Sequence, residues 1–124
     1  KVIKKDNKST VNAVQTLLDQ AVDFEKTMSF LHDDFEGTLA DGSVAKKEDV
    51  IALYKPVFET TKFNIVPAVW FSIHVNDLDH DWVILWTKED LTTSSDTTSL
   101  FAQESFQIKD GKIIGMNQFQ RPIN

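Results

Sequence analysis

Thr98-Ser99-Leu100-Phe101-Ala102-Gln103-Glu104-Ser105-Phe106-Gln107-Ile108 alternates along its length between two sets of side chains. Leu100, Ala102, Glu104, Phe106 and Ile108 share one face, and Ser99, Phe101, Gln103, Ser105 and Gln107 share the other, which is the period of a β-strand. The first set is apolar except for Glu104, so it is expected to be the buried face. Similar long runs lie on both sides, at residues 63–75, 82–91 and 112–121. The connections between them carry turn residues: Asn76-Asp77, Ser94-Ser95-Asp96 and Asp110-Gly111. Links this short predict that successive strands pair antiparallel.

Upstream of residue 62 the period is helical. Val11, Val14, Leu17, Leu18 and Ala21 recur on one face behind Ser9 or Thr10 as a cap. Asp23 reads as a second cap, followed by Phe24, Met28 and Leu31, with His32-Asp33-Asp34 closing that element. Residues 35–39 read as a short strand and Ala40-Asp41-Gly42 as a turn. A third helix after Ser43 carries a broad apolar stripe of Val50, Ile51, Leu53, Tyr54, Val57 and Phe58. Pro56 lies inside it and is expected to kink it or end it early. Helices first and strands afterwards make the fold class α+β.

At 124 residues, 41% hydrophobic and 26% charged, the chain is sized for one domain. Residues 1–8 read as a polar tail or linker and residues 9–124 as the domain. The net charge of −6 argues against nucleic acid as a partner. The basic cluster Lys1, Lys4, Lys5 and Lys8 reads as solvated tail. No apolar run is long enough for a membrane span, and the absence of cysteine excludes disulfides. The chain starts at Lys1, the start a trimmed, exported product would have, and a cytoplasmic location stays equally open. Asn7-Lys8-Ser9 is a glycosylation sequon of low information.

Three groups of residues then carry the resemblance to a family: Asp23-Phe24-Glu25-Lys26 with Phe30-Leu31-His32-Asp33-Asp34-Phe35 and Ala40-Asp41-Gly42; Trp82-Val83-Ile84-Leu85-Trp86-Thr87; and Glu104-Ser105-Phe106-Gln107-Ile108-Lys109-Asp110-Gly111-Lys112-Ile113 closing with Gln118-Phe119-Gln120-Arg121. In this order and spacing they resemble bacterial members of the NTF2-like (SnoaL-like) superfamily, with its cystatin-like α+β fold. The resemblance implies N-terminal helices packed on a strongly curved antiparallel sheet, with a cone-shaped pocket between them. It does not imply a reaction, because one fold hosts many functions.

Glu104 is the most informative residue. Burial among apolar neighbours favours the neutral acid, which can donate a hydrogen bond. In the ketosteroid-isomerase branch that Glu104 resembles, this position holds a protonated, oxyanion-stabilising Asp. The positions matching that branch's base and tyrosine read Leu39 and Leu17, and Asp41 serves only in a shifted register. The same match turns Met116, Gln118 and Gln120 inward and leaves Asn117 and Phe119 outward. The expected pocket comprises Glu104, Gln118, Trp86, Tyr54, Phe58, Phe106 and Met116. The pattern leaves the parity of the first long strand open: Val69, Phe71, Ile73 and Val75 look core-facing, which sends Trp70 and His74 outward, where with Phe119 they are candidates for a dimer interface.

No cofactor motif is present. His32, His74 and His80 lack zinc-ligand spacing. Asp77-Leu78-Asp79-His80-Asp81 imitates a calcium loop without its glycine, and has Lys88 at the twelfth position. His32 beside Asp33 and Asp34 reads as a base with orienting acids or as a helix-end residue packing on its own turn. Three functions stay open: binding of a small apolar or amphipathic ligand without catalysis, an isomerase or dehydratase acting on a carbonyl substrate with Glu104 as acid, and a homodimeric interaction module with a filled pocket.

Overall fold

A computed structural model describes residues 2–5 and 23–123. The first helical stripe, from Ser9 to Ala21, and with it Leu17 and the sequon, lies outside the described residues. The elements in chain order are β1 (Val2–Lys5), α1 (Phe24–Ser29), β2 (Leu31–Thr38), β3 (Val44–Lys46), α2 (Lys47–Thr60), β4 (Lys62–Val75), β5 (His80–Thr92), β6 (Thr97–Lys109) and β7 (Lys112–Pro122). All seven strands form one curved sheet in the order β1-β4-β5-β6-β7-β2-β3.

The four long strands pair antiparallel in sequence, as their short links predict. Asp110 and Gly111, at φ 54° and 72°, turn the chain between the paired Lys109 and Lys112. A type I′ hairpin turn needs left-handed backbone at both central positions, and Asp-Gly supplies it at little steric cost. β2 joins the far side of β7 in parallel, with Leu31 opposite Ile113 and Gly37 opposite Met116. Gly37 is there because the strands crowd: a Cβ would lie 2.7 Å from the Phe35 ring and 3.2 Å from Met116 Cβ.

Three local expectations change. Asp23 does cap α1, its carboxylate accepting the Lys26 amide at 3.2 Å, but the helix ends at Ser29. Leu31 to Asp34 belong to β2, because the Ile113 amide captures the Phe30 carbonyl at 2.8 Å and starts the parallel ladder. Met28, Leu31 and Phe35 fit helical spacing, yet over so short a window that pattern does not separate helix from strand. α2 runs through Pro56 to Thr60. Proline removes one donor, while the helix face carrying Val50, Tyr54 and Phe58 still docks. Val2–Lys5, within the stretch read as tail, forms a strand that pairs antiparallel with β4, Val2 opposite Val75 and Lys5 opposite Ser72. β-branched Val2 and Ile3 suit a strand, and pairing covers an otherwise open sheet edge.

The core lies between the helices and one face of the sheet, where Met28 of α1 and Val50 of α2 meet Phe35, Val83, Leu85, Phe106 and Ile113. Among the described residues no helix is long and apolar enough to cross a membrane.

Candidate functional site

Burial on β6 follows the alternation expected of it. Ala102 and Phe106 are each 3% exposed, and Glu104 stands between them. Its cross-strand neighbours are Leu85 on β5, which is fully buried, and Gln118 on β7. A cavity of about 150 Å³ opens on this side of the sheet. Glu104, Phe106, Met116 and Gln118 line it from the sheet, and Val50, Tyr54 and Phe58, spaced by four, line it from α2. Phe58 is braced by Phe24 at 5.3 Å and by Phe63 at 5.1 Å between ring centroids. A cavity of this volume, walled mainly by apolar groups, accepts a molecule about the size of benzene.

Glu104 keeps some exposed surface because it borders the cavity, yet protein surrounds the carboxyl on its other sides. Burial pushes its pKa up to about 8, reinforced by the Glu89 charge and opposed by a hydrogen bond from Gln118. Gln118 is fixed at both ends of its amide: its Oε1 accepts the Ala40 amide at 3.3 Å and its Nε2 donates to Glu104 Oε2 at 3.4 Å. In the neutral acid the proton therefore sits on Glu104 Oε1, the oxygen Gln118 leaves free. The Tyr54 phenol is also pushed up, first by burial and then by the Glu104 charge. The site thus holds two neutral O–H donors near neutral pH.

The second acid, Glu89, does not stand out in the sequence. It is 9% exposed, lines the same cavity and accepts a hydrogen bond from Thr87 Oγ1 at 3.0 Å. Burial raises its pKa, with Thr87 opposing.

Trp86 is not a cavity wall. Val83, Leu85, Thr87 and Glu89 are the buried residues of β5, which turns Trp86 to the outer face, where it is 42% exposed. It stacks there on Phe71 at 5.9 Å. Trp70 and His74 also exchange faces with the expectation. A bulge between Pro67 and Val69 adds one residue to β4 and reverses its parity, so Trp70, Ser72 and His74 stand opposite Leu85, Val83 and Asp81. Trp70 remains 45% exposed, and Ser72 is buried. His74 Nδ1 lies 2.9 Å from Asp81 and its Nε2 3.5 Å from Asp79. Phe119 is outward, as expected, and 59% exposed. Trp70, His74 and Phe119 therefore do not share one surface. The outer face instead presents a row across four strands, Val69, Trp86, Gln103 and Phe119, with Phe101 beside it under Arg121.

The remaining candidates lie away from the cavity. His32 sits on β2, its Nδ1 accepting the Asp34 amide at 3.0 Å and its Nε2 3.8 Å from Asp110. The Asp41 carboxylate accepts the amide and hydroxyl of Ser43 in the turn, which lower its pKa. Leu39 is core. Among the described residues no three His, Asp or Glu side chains are grouped to hold a metal ion.

Solved structures superpose on this chain almost end to end. An LEH-like epoxide hydrolase from M. tuberculosis matches with a TM-score of 0.77 at 14% identity, over 94% of this chain and 86% of that one. An NTF2-like protein from Cytophaga hutchinsonii matches with a TM-score of 0.70 at 18% identity, over 94% and 99%. The fold is NTF2-like. A candidate SnoaL-like polyketide cyclase from Jannaschia sp. CCS1 shares this NTF2-like architecture, with a TM-score of 0.72 at 15% identity over 94% and 90%. No protein-family profile and no curated protein sequence matches the chain. At these identities the likeness to these proteins is one of fold, and the cavity's own residues carry the chemistry.

Proposed function

We propose that the cavity binds a compact, mostly apolar molecule carrying one hydrogen-bond acceptor, such as a small cyclic ketone, and holds that acceptor with neutral Glu104. The observation that supports this is Glu104 itself: one carboxyl set among Leu85, Ala102 and Phe106, oriented by Gln118, at the edge of a cavity of about 150 Å³. An apolar wall with a few convergent polar groups is the usual make-up of a small-molecule site. The neutral form is the donor, so binding is strongest below pH 8 and is lost as the pH rises through that value. Titrating the domain with cyclohexanone, followed by amide chemical shifts, should give affinity about tenfold weaker at pH 9 than at pH 6. Glu104→Gln keeps a donor at the same place and should bind without that pH dependence. Equal affinity at both pH values in the unaltered protein would remove Glu104 from the site. New ketone or enol signals accumulating in the same samples would instead favour the isomerase-type reading over simple binding.

A second reading, favoured by the outer face, is self-association. The row Val69, Trp86 and Phe119, with Phe101 adjacent, leaves large apolar side chains open on the outer face of the sheet, and such patches mark interfaces. Sedimentation should find a dimer that Phe119→Lys weakens by at least about tenfold, since the charge would be buried without a partner. A monomer at all concentrations would end this reading.

A further inference from the structure

Ligand binding through Glu104 leaves one buried acid without a task. Glu89 lines the same cavity from β5, opposite Ile65 and close to the aromatic wall formed by Phe58 and Phe63. Only one of its oxygens has a donor among the described residues: Thr87 Oγ1 bonds Oε2, and no described side chain or amide donates to the other. Glu104 is registered with Leu85, four residues before Glu89 on the same strand. Strand rise therefore separates the two backbone positions by about 13 Å. Both side chains reach into one cavity, whose described lining contains no Lys, Arg or His. The cavity thus receives two separate carboxyls amid walls that are otherwise mainly apolar.

We propose that Glu89 is a specificity residue, accepting a hydrogen bond from a hydroxyl or ammonium at the end of the ligand opposite the acceptor seated on Glu104. The proposal rests on the binding reading above and narrows the ligand to a compact molecule with an acceptor at one end and a donor at the other. The physical reason lies in the oxygen that no described residue satisfies. An apolar ligand end would cover it and cut it off from water, leaving a buried acceptor unsatisfied, whereas a donor at that end satisfies it. Sites with buried polar groups discriminate strongly against analogues that lack the matching group.

Cyclohexanone and 4-hydroxycyclohexanone differ by that donor alone. By amide-shift titration at pH 7 the unaltered domain should bind the hydroxyketone about tenfold more tightly. Glu89→Met keeps the length of the side chain and removes the acceptor. It should abolish the preference, cyclohexanone gaining affinity because no acceptor is left to be covered and the hydroxyketone losing its partner, and Glu89→Gln should restore part of the preference. 4-Aminocyclohexanone separates the donor types: either an ammonium or a hydroxyl advantage that disappears in Glu89→Met supports the assignment. Equal binding of the ketones by the unaltered protein, or a Glu89→Met loss that falls equally on both, overturns it and makes Glu89 structural. If cyclohexanone itself fails to bind, the binding reading falls and this inference with it.

Discussion

The midpoint of thermal unfolding should fall as the pH is raised from 5 to 9, and Glu104→Gln should remove most of that fall. The Glu104 carboxyl has a pKa of about 8 in the fold, against 4.5 when solvated. Its burial is harmless while it is neutral in both states, below about pH 4.5. Between that pH and 8 the unfolded chain gains by ionising and the folded chain does not, so stability drains away and then levels off once both forms are charged. The gap is worth up to about 5 kcal/mol, or on the order of 10 °C in a domain of this size. Glu89, raised by burial in the same direction, adds to the slope. Glu104→Gln cannot ionise and keeps the shape. Its midpoint should match the unaltered protein near pH 5 and exceed it increasingly toward pH 9. Parallel curves for the two proteins would mean that Glu104 titrates as an ordinary solvated acid.

The second large effect is expected at Phe106. It is 3% exposed, belongs to the core and walls the cavity next to Glu104. Phe106→Ala removes a ring whose space the two sheet neighbours cannot refill, at a cost of about 3–5 kcal/mol. Urea unfolding should show a lower midpoint with an unchanged slope, since the surface exposed on unfolding is nearly the same. The same change enlarges the cavity beyond about 150 Å³. A bicyclic ketone such as 1-decalone should then bind the variant and not the unaltered protein. A cost under 1 kcal/mol, or no gain for the larger ketone, would show that the site collapses onto the vacancy.

Much of the fold could be read from the sequence because the long strands keep a strict two-residue period and Asp110-Gly111 specifies a hairpin. The same period placed Glu104 and Phe106 inward, and the resemblance to the ketosteroid-isomerase branch did so for Gln118 and Met116; the structure gathers all four around one cavity. What escaped has identifiable causes. On β5 the outward set, Trp82, Ile84 and Trp86, is more hydrophobic than the buried set, Val83, Leu85 and Thr87, so apolar weight pointed at the wrong face. That error hid Glu89, which shares parity with Leu85 but stands between Lys88 and Asp90 in a charged triplet that resembles a solvated strand end. The parity itself was the available signal. On β4 one bulged residue after Pro67 reverses every later side chain, and the proline, which cannot donate to the ladder, was its available cue. The short α1 gives way to β2 because a parallel partner more than 80 positions away claims Leu31, a long-range pairing that local spacing does not encode.

That pairing has a kinetic side. The β4–β7 meander joins neighbours through short turns, so its pairs close over small loops, whereas Leu31 must find Ile113 across most of the chain. Closing so large a loop carries an entropy cost that the hairpins do not, which puts the β2–β7 seam, like the β1–β4 pairing, late in assembly. Leu31 and Phe35 stand on one side of the seam and Ile113 and Met116 on the other, and all four border the cavity. A transient parting there would open the chamber along its length while the hairpins stay intact, giving a guest a way in and out that the closed geometry does not display.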